Sequence, residues 1–338
     1  MDSTFASARL GISELLLGGT TAILNMATVD HTDAVFEAAS AGGIRLWCGK
    51  AQMDRDNEAG LSEPTDLSMR SACDLADRWY GRGLLRYAFA PRFVPSCSDD
   101  LLRAAVTEAR RRGCLLHTHA SENADEVALV RALTGEDNVV HLHRLGFTGP
   151  DVALAHCVHL TEEEERVLAE TTTRVVHCPS SNHKLGSGHA RIPELMARGV
   201  HVSLGADDAP CNNRLDMFAE MRLAALMQKP RVGPTAMPAR AVLRMATVAG
   251  AEALGFPGGV IAPGHVADLV LLDPDKVWGG GDEAAAVVYA FDARAVDEVW
   301  VAGVRRVADG RVLAWDHQEI VGLCRRSLAR VARRAGLS

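Results

Sequence analysis

The most constraining feature of the sequence is a regular alternation. Short apolar runs at residues 20–26, 44–50, 85–93, 115–120, 152–158, 173–178 and 201–206 are each followed by segments with helical spacing. Strands that are apolar on nearly every position are buried on both faces, which is the condition of parallel strands covered by helices. The helical segments fall at 33–41, 66–79, 99–112, 162–170, 192–198, 215–227 and 236–254, and residues 1–17 also read as a helix. Ser98 stands before the 99–112 segment, and Thr161 opens an S/T-x-x-E capping pattern with Glu164. Strand, helix, strand at this spacing means right-handed βαβ units. An open doubly wound sheet and a (β/α)8 TIM-type barrel both satisfy it. The sequence offers seven units, one short of a barrel.

Beyond residue 255 the texture changes. Glycine and proline cluster at 255–259, and short strand-like runs at 266–273, 298–302 and 305–308 predict a small antiparallel appendage. Residues 319–335 read as a helix whose five arginines form a solvated basic face. The predicted organisation is therefore a barrel over 1–255, a partial β-sandwich and connecting segment over 256–318 and a terminal helix over 319–338. A chain of 338 residues can bury a substantial core without disulfides. The net charge of −7 argues against a nucleic-acid partner. The eight cysteines are scattered with no C-x-x-C pair, as in a reduced, cytoplasmic protein. No secretory pattern opens the chain, and no apolar run approaches the ~20 residues of a membrane span.

Nucleotide-binding motifs are absent. The run GIRLWCGK at 43–50 is one residue too long for a P-loop and is followed by Ala51. Histidine is the informative residue. His117, His119, His156, His159 and His177 lie at or just beyond the ends of predicted parallel strands, and Asp207 and Asp208 close the last one. One histidine on an apolar strand is ordinarily a hydrogen-bonded core residue. Three successive strands delivering histidine to the same end, followed by aspartate, form a donor set suited to zinc or iron. The pair His119 and Glu122 adds an H-x-x-E arrangement. A carboxylate just past a ligating histidine can shuttle a proton without ligating, although a carboxylate at a helix start is also favoured by the helix dipole.

The runs LAHCVHL (154–160), VHCPSSNHKL (176–185) and LGADDAPCNNRLD (204–216) resemble the amidohydrolase superfamily. PGHVADLVLLD (263–273) and VWVAG (299–303) are similar to its C-terminal β-sandwich segment. The nearest branch is that of 5′-methylthioadenosine/S-adenosylhomocysteine deaminases and triazine chlorohydrolases. The resemblance implies a metal-bearing (β/α)8 barrel that hydrolyses a C–N bond of a small heterocyclic, purine nucleoside-like substrate. It implies one divalent metal ion, Zn2+ or Fe2+, because the run 85–93 has no lysine to bridge two. Carried over by position, it makes His119 a metal ligand and Glu122 the acid/base. His156 assists the attacking water, while Asp207 touches the metal and takes a proton. Ser181 and Asn182 fall in a loop bordering the pocket, with a weaker implied role toward substrate. Dechlorination, N-deacylation and a non-catalytic barrel remnant stay open as alternatives.

Two departures matter. Relatives end their first barrel strand in H-x-H, which supplies two metal ligands, and no such string precedes Thr20. The strings His117–His119 and His141–His143 are elsewhere. The expectation is an N-terminally truncated barrel lacking its first strand, a poor metal binder prone to self-association into a homo-oligomer through open edges. Second, Asp208 and Arg191 replace residues that are smaller in relatives, with Arg191 expected to alter the pocket rim.

Overall fold

In the computed structural model, residues 2–55, 60–277 and 281–337 are described. Seven parallel strands form one sheet in chain order: β1 (Ala22–Ala27), β2 (Arg45–Gln52), β3 (Leu85–Pro91), β4 (Leu115–Ala120), β5 (Val152–His156), β6 (Arg174–His177) and β7 (Val202–Leu204). Because order in the sheet equals order in the chain, every connection is a simple crossover through helix. The seven strands make a curled, open barrel-like sheet, with β1 and β7 each paired on one side only among the described residues. All eight residues of β2 are buried, the polar Arg45, Lys50 and Gln52 together with the apolar positions between them. Gly49 sits there because a β-carbon would meet the carbonyl oxygen of Ala88 on β3 at 1.8 Å. Phe36, Leu46, Tyr87, Phe89, Leu101, Leu116 and Leu154 fill the layer between sheet and helices.

Most predicted elements fall within one or two residues of those observed; Asp99–Arg112 and Glu162–Glu170 coincide with them. Six α-helices stand outside the predicted segments: Ala124–Thr134, Asn138–Arg144, Pro179–Lys184, Ala209–Asn212, Lys229–Val232 and Glu283–Tyr289. The string His141–His143 lies inside the second of them. The segment predicted as one helix over 236–254 is two, Ala239–Ala246 and Val248–Leu254, broken at Thr247 with φ −122° and ψ −89°.

The remainder forms a four-stranded antiparallel sheet in the order β11-β10-β9-β8, from β8 (Leu269–Leu272), β9 (Val296–Val301), β10 (Val304–Ala308) and β11 (Arg311–Val312). A largely buried ion pair ties it to the main sheet: Arg45 of β2 donates through Nε and Nη2 to Asp268, at 3.0 and 2.9 Å. The helix Glu283–Tyr289, between β8 and β9, packs on the helices Met217–Met227 and Ala239–Ala246. The terminal helix His317–Arg334 lies along the first helix, Asp2–Leu17, where Cys324 Sγ meets the carbonyl oxygen of Ala6 and Ser327 Oγ meets Ser3 Oγ.

Candidate active site at the strand ends

The C-terminal ends of β4, β5 and β7 carry four non-glycine residues in the left-handed region: Ser121 (φ 53°), His156 (72°), Cys157 (48°) and Asp207 (60°). Each such residue costs on the order of 1–3 kcal/mol, and such strain gathers where side chains must be aimed. His119, two residues before Ser121, stacks on His156 with ring centroids 5.3 Å apart. His117, on the same face of β4, stacks on His119 at 6.0 Å.

One nitrogen of His119 and one of His156 are occupied. The carbonyl oxygen of Arg92, at the end of β3, accepts from His119 Nδ1 (2.8 Å), from the His119 amide (3.1 Å) and from Thr118 Oγ1 (3.1 Å). With Nδ1 carrying the proton, His119 Nε2 presents a lone pair. His156 Nδ1 donates to Asn182 Oδ1 at 2.8 Å, which leaves His156 Nε2 as a base. Burial and the neighbouring His156 push the His119 imidazole down to about 4; burial first, then the other histidines, pushes His117 to about 3. Both rings are therefore neutral at pH 7, the state a metal ligand requires.

Glu122 reaches the same space. Its Oε2 lies 3.9 Å from His156 Nε2, and its Oε1 accepts from Ser187 Oγ at 3.3 Å. Asp207 Oδ2 accepts from Ser181 Oγ at 2.6 Å and Oδ1 from the Asp208 amide at 2.8 Å. The charge of Asp207 raises the proton affinity of both His117 and His119. The structure thus brings His119, Glu122, His156 and Asp207 to one mouth. Ser181 and Asn182 are wholly buried, and their side chains hold Asp207 and His156.

His119 fits a divalent cation by the orientation of its ring: a ligating histidine typically donates its other N–H to a carbonyl or carboxylate, as it does here to Arg92. Asp207 is the carboxylate on the same side. Among the described residues, three groups of metal-ligating type come within 4.8 Å of one another only at Asp207, Asp208 and Cys211. That grouping has another explanation. Asp208 is exposed and caps the helix Ala209–Asn212 by accepting from the Cys211 amide at 2.9 Å, while burial pushes the Cys211 thiol up to about 12.

Three contributors lay beyond sequence reasoning: the Arg92 carbonyl, Ser187, and Glu126, whose carboxylate accepts the Ser121 and Glu122 amides. Only Glu126 left a trace, as the third residue after the capping Asn123. Arg191 does not line the mouth. It pairs with the buried Glu165, which also binds Arg198 Nε at 2.8 Å.

The amidohydrolase family profile matches residues 2–306. The 5-methylthioadenosine/S-adenosylhomocysteine deaminase of Desulfitobacterium hafniense is 38% identical over 326 residues, which cover 94% of this chain and 72% of that protein. The 5′-deoxyadenosine deaminase of Methanothermobacter thermautotrophicus is 36% identical over 320 residues, covering 93% and 72%. Among solved structures, a zinc-bound adenosine deaminase from Xanthomonas campestris superposes with a TM-score of 0.91 at 31% identity, over 97% of this chain and 75% of that one. The zinc complex of atrazine chlorohydrolase from Arthrobacter aurescens gives 0.91 at 28% identity, over 97% and 77%.

Proposed function

This chain belongs to the amidohydrolase family, and from that premise we propose that it is a zinc-dependent aminohydrolase replacing the amino group of an adenosine-like heterocycle with oxygen. The observation that carries the reading is the convergence of two tautomer-fixed histidines and two carboxylates at the ends of β4, β5 and β7. His119 and Asp207 are the residues that would hold the cation. When bound, the cation supplies Lewis acidity that makes water a nucleophile near neutral pH.

The chain's own groups do the rest. His156 Nε2 and Asp207 orient the water and take its proton. Glu122 delivers a proton to the ring nitrogen beside the amino-bearing carbon, which makes that carbon open to attack. A C–O bond forms and the C–N bond breaks. The proton held on Asp207 passes to the leaving group, which departs as ammonia, and the new hydroxyl returns its proton to Glu122 as the C=O bond forms. Asn182 and Ser181 keep His156 and Asp207 in register, a role we assign to them in place of contact with substrate.

The wider setting is part of the same proposal. Eight free cysteines suit a reducing cytoplasm, and no described helix is long and apolar enough to cross a membrane. Exposed aliphatic side chains on the edge strand β8, Leu269, Val270 and Leu271, favour self-association into a homo-oligomer.

The test is a substrate panel of adenosine, 5′-deoxyadenosine and 5′-methylthioadenosine against a chlorinated triazine, followed by ammonia and chloride release with and without a chelator. Chelator-sensitive ammonia release from at least one nucleoside is expected. Chloride release without ammonia would replace deamination with dechlorination.

A further inference from the structure

Glu126 is the third residue of the helix Ala124–Thr134, whose cap is Asn123; Asn123 Oδ1 accepts from the Glu126 amide at 2.9 Å. A glutamate there ordinarily folds back to the amide of the cap residue itself. Glu164 does so in the capping box of Thr161, accepting from the Thr161 amide at 2.8 Å. Glu126 reaches further. Its Oε1 accepts from the Ser121 amide at 3.1 Å and its Oε2 from the Glu122 amide at 2.7 Å, and Asn138 Nδ2 fixes Oε1 from the next helix at 2.6 Å. The carboxylate is buried, at 7% exposure.

Its two amide partners are the peptide groups that decide where the Glu122 side chain leaves the end of β4. Ser121 holds a left-handed backbone at φ 53°, and its carbonyl accepts from the Val158 and His159 amides at 3.0 and 2.9 Å, so the turn is also pinned to the strand that carries His156. Ser121 Oγ points to Glu164 Oε1 at 3.4 Å. Glu122 then meets Ser187, whose own carbonyl accepts from His159 Nε2 at 2.6 Å. A helix needs only its cap; this geometry spends a buried carboxylate on a strained turn outside the helix.

We propose that Glu126 is a positioning residue for the reaction: through the Ser121 and Glu122 amides it fixes the direction of the Glu122 carboxylate against His156. This rests on the reading of Glu122 as the proton-carrying group. Reactions that depend on an aimed group lose on the order of 100-fold for a displacement of about 1 Å. In Glu126→Gln one oxygen becomes an NH2 group that cannot accept, so one of the two amides loses its partner.

The experiment is a double-mutant cycle on the full zinc-loaded chain, with kcat, KM, zinc content, melting temperature and the amide proton shifts of residues 121 and 122 measured for Glu126→Gln, Asn138→Ala, Glu122→Gln and the Glu126→Gln/Glu122→Gln pair. Glu126→Gln is expected to lower kcat by about 10- to 100-fold with KM and zinc content held, and to move upfield the shift of the amide that loses its partner. Asn138→Ala, which leaves the two amide bonds in place but frees Oε1 on one side, should show a smaller loss in the same direction. In the Glu122→Gln background the Glu126 effect on kcat should vanish, because its target is gone. An equal fold-loss in both backgrounds would mean that Glu126 acts on the fold at large and would overturn the proposal. Wild-type kcat in Glu122→Gln alone would instead remove the reading of Glu122 on which the proposal stands.

Discussion

His119 and His156 are close in space and differ in what holds the far nitrogen: a main-chain carbonyl for one, the amide oxygen of Asn182 for the other. The first contact survives any side-chain substitution, whereas the second can be removed. Asn182→Leu is expected to lower kcat about 10-fold or more while leaving zinc content unchanged, measured by steady-state kinetics beside metal analysis. Asp207 and Asp208 separate in the same way. Asp207 is held by the buried Ser181 and acts electrostatically on His117 and His119, while Asp208 caps a short helix, so Asp207→Asn should lose zinc and Asp208→Gly should retain it. Greater zinc loss from Asp208→Gly would reverse the assignment.

The buried histidines also set a pH dependence. Burial lowers His117 and His177 to about 3 and His119 to about 4. Because the folded values lie below the unfolded value near 6.5, the stability they contribute is complete above about pH 6.5. It is lost as pH falls toward 4 and 3, where the unfolded chain takes up protons that the folded rings refuse. The melting temperature of metal-free protein should therefore fall between pH 6.5 and 4, and His177→Gln should flatten that fall. A melting temperature constant over that range would contradict the burial of these rings in neutral form.

At the scale of elements, the sequence made the strand ends legible because each chemistry-bearing residue lies at or near the end of a short strand-like run. Leu115–Ala120 delivers His119, Val152–His156 delivers His156, and Val202–Leu204 is followed by Asp207. The H-x-x-E spacing of His119 and Glu122 needed only that one strand. What stayed hidden depends on contacts between elements: Ser187 reaches Glu122 from 65 residues away, and the Arg92 carbonyl meets His119 across 27. No local pattern encodes either. The helix Pro179–Lys184 was hidden for another reason, since its six residues are too few to show a period.

Arg191 illustrates a misreading at this scale. As part of the loop before Ile192–Ala197 it was expected at the pocket rim, but it turns toward the helix Glu162–Glu170 and neutralises Glu165, which is 1% exposed. Arg191→Ala leaves Glu165 with Arg198 alone. A loss of about 1–3 kcal/mol in stability by chemical denaturation is expected, with kcat held.

For the whole molecule, the open seven-stranded sheet and the four-stranded sheet are joined by the Arg45–Asp268 pair and by the terminal helix lying on the first one. The mouth formed by β4, β5 and β7 is where main-sheet architecture places reactive groups in proteins of this class, outside the carboxyl ends of parallel strands. In the proposed reaction this mouth carries out acid–base hydrolysis, with Glu122 moving the proton and His119 and Asp207 holding the cation. The most direct test is Glu122→Gln, assayed for ammonia release from the best nucleoside of the panel and for zinc in the same preparation. General acid–base groups contribute about 10²–10⁴-fold, so kcat should fall by that range while zinc content stays at the wild-type value. Wild-type turnover in that variant, or zinc lost together with turnover, would contradict the claim.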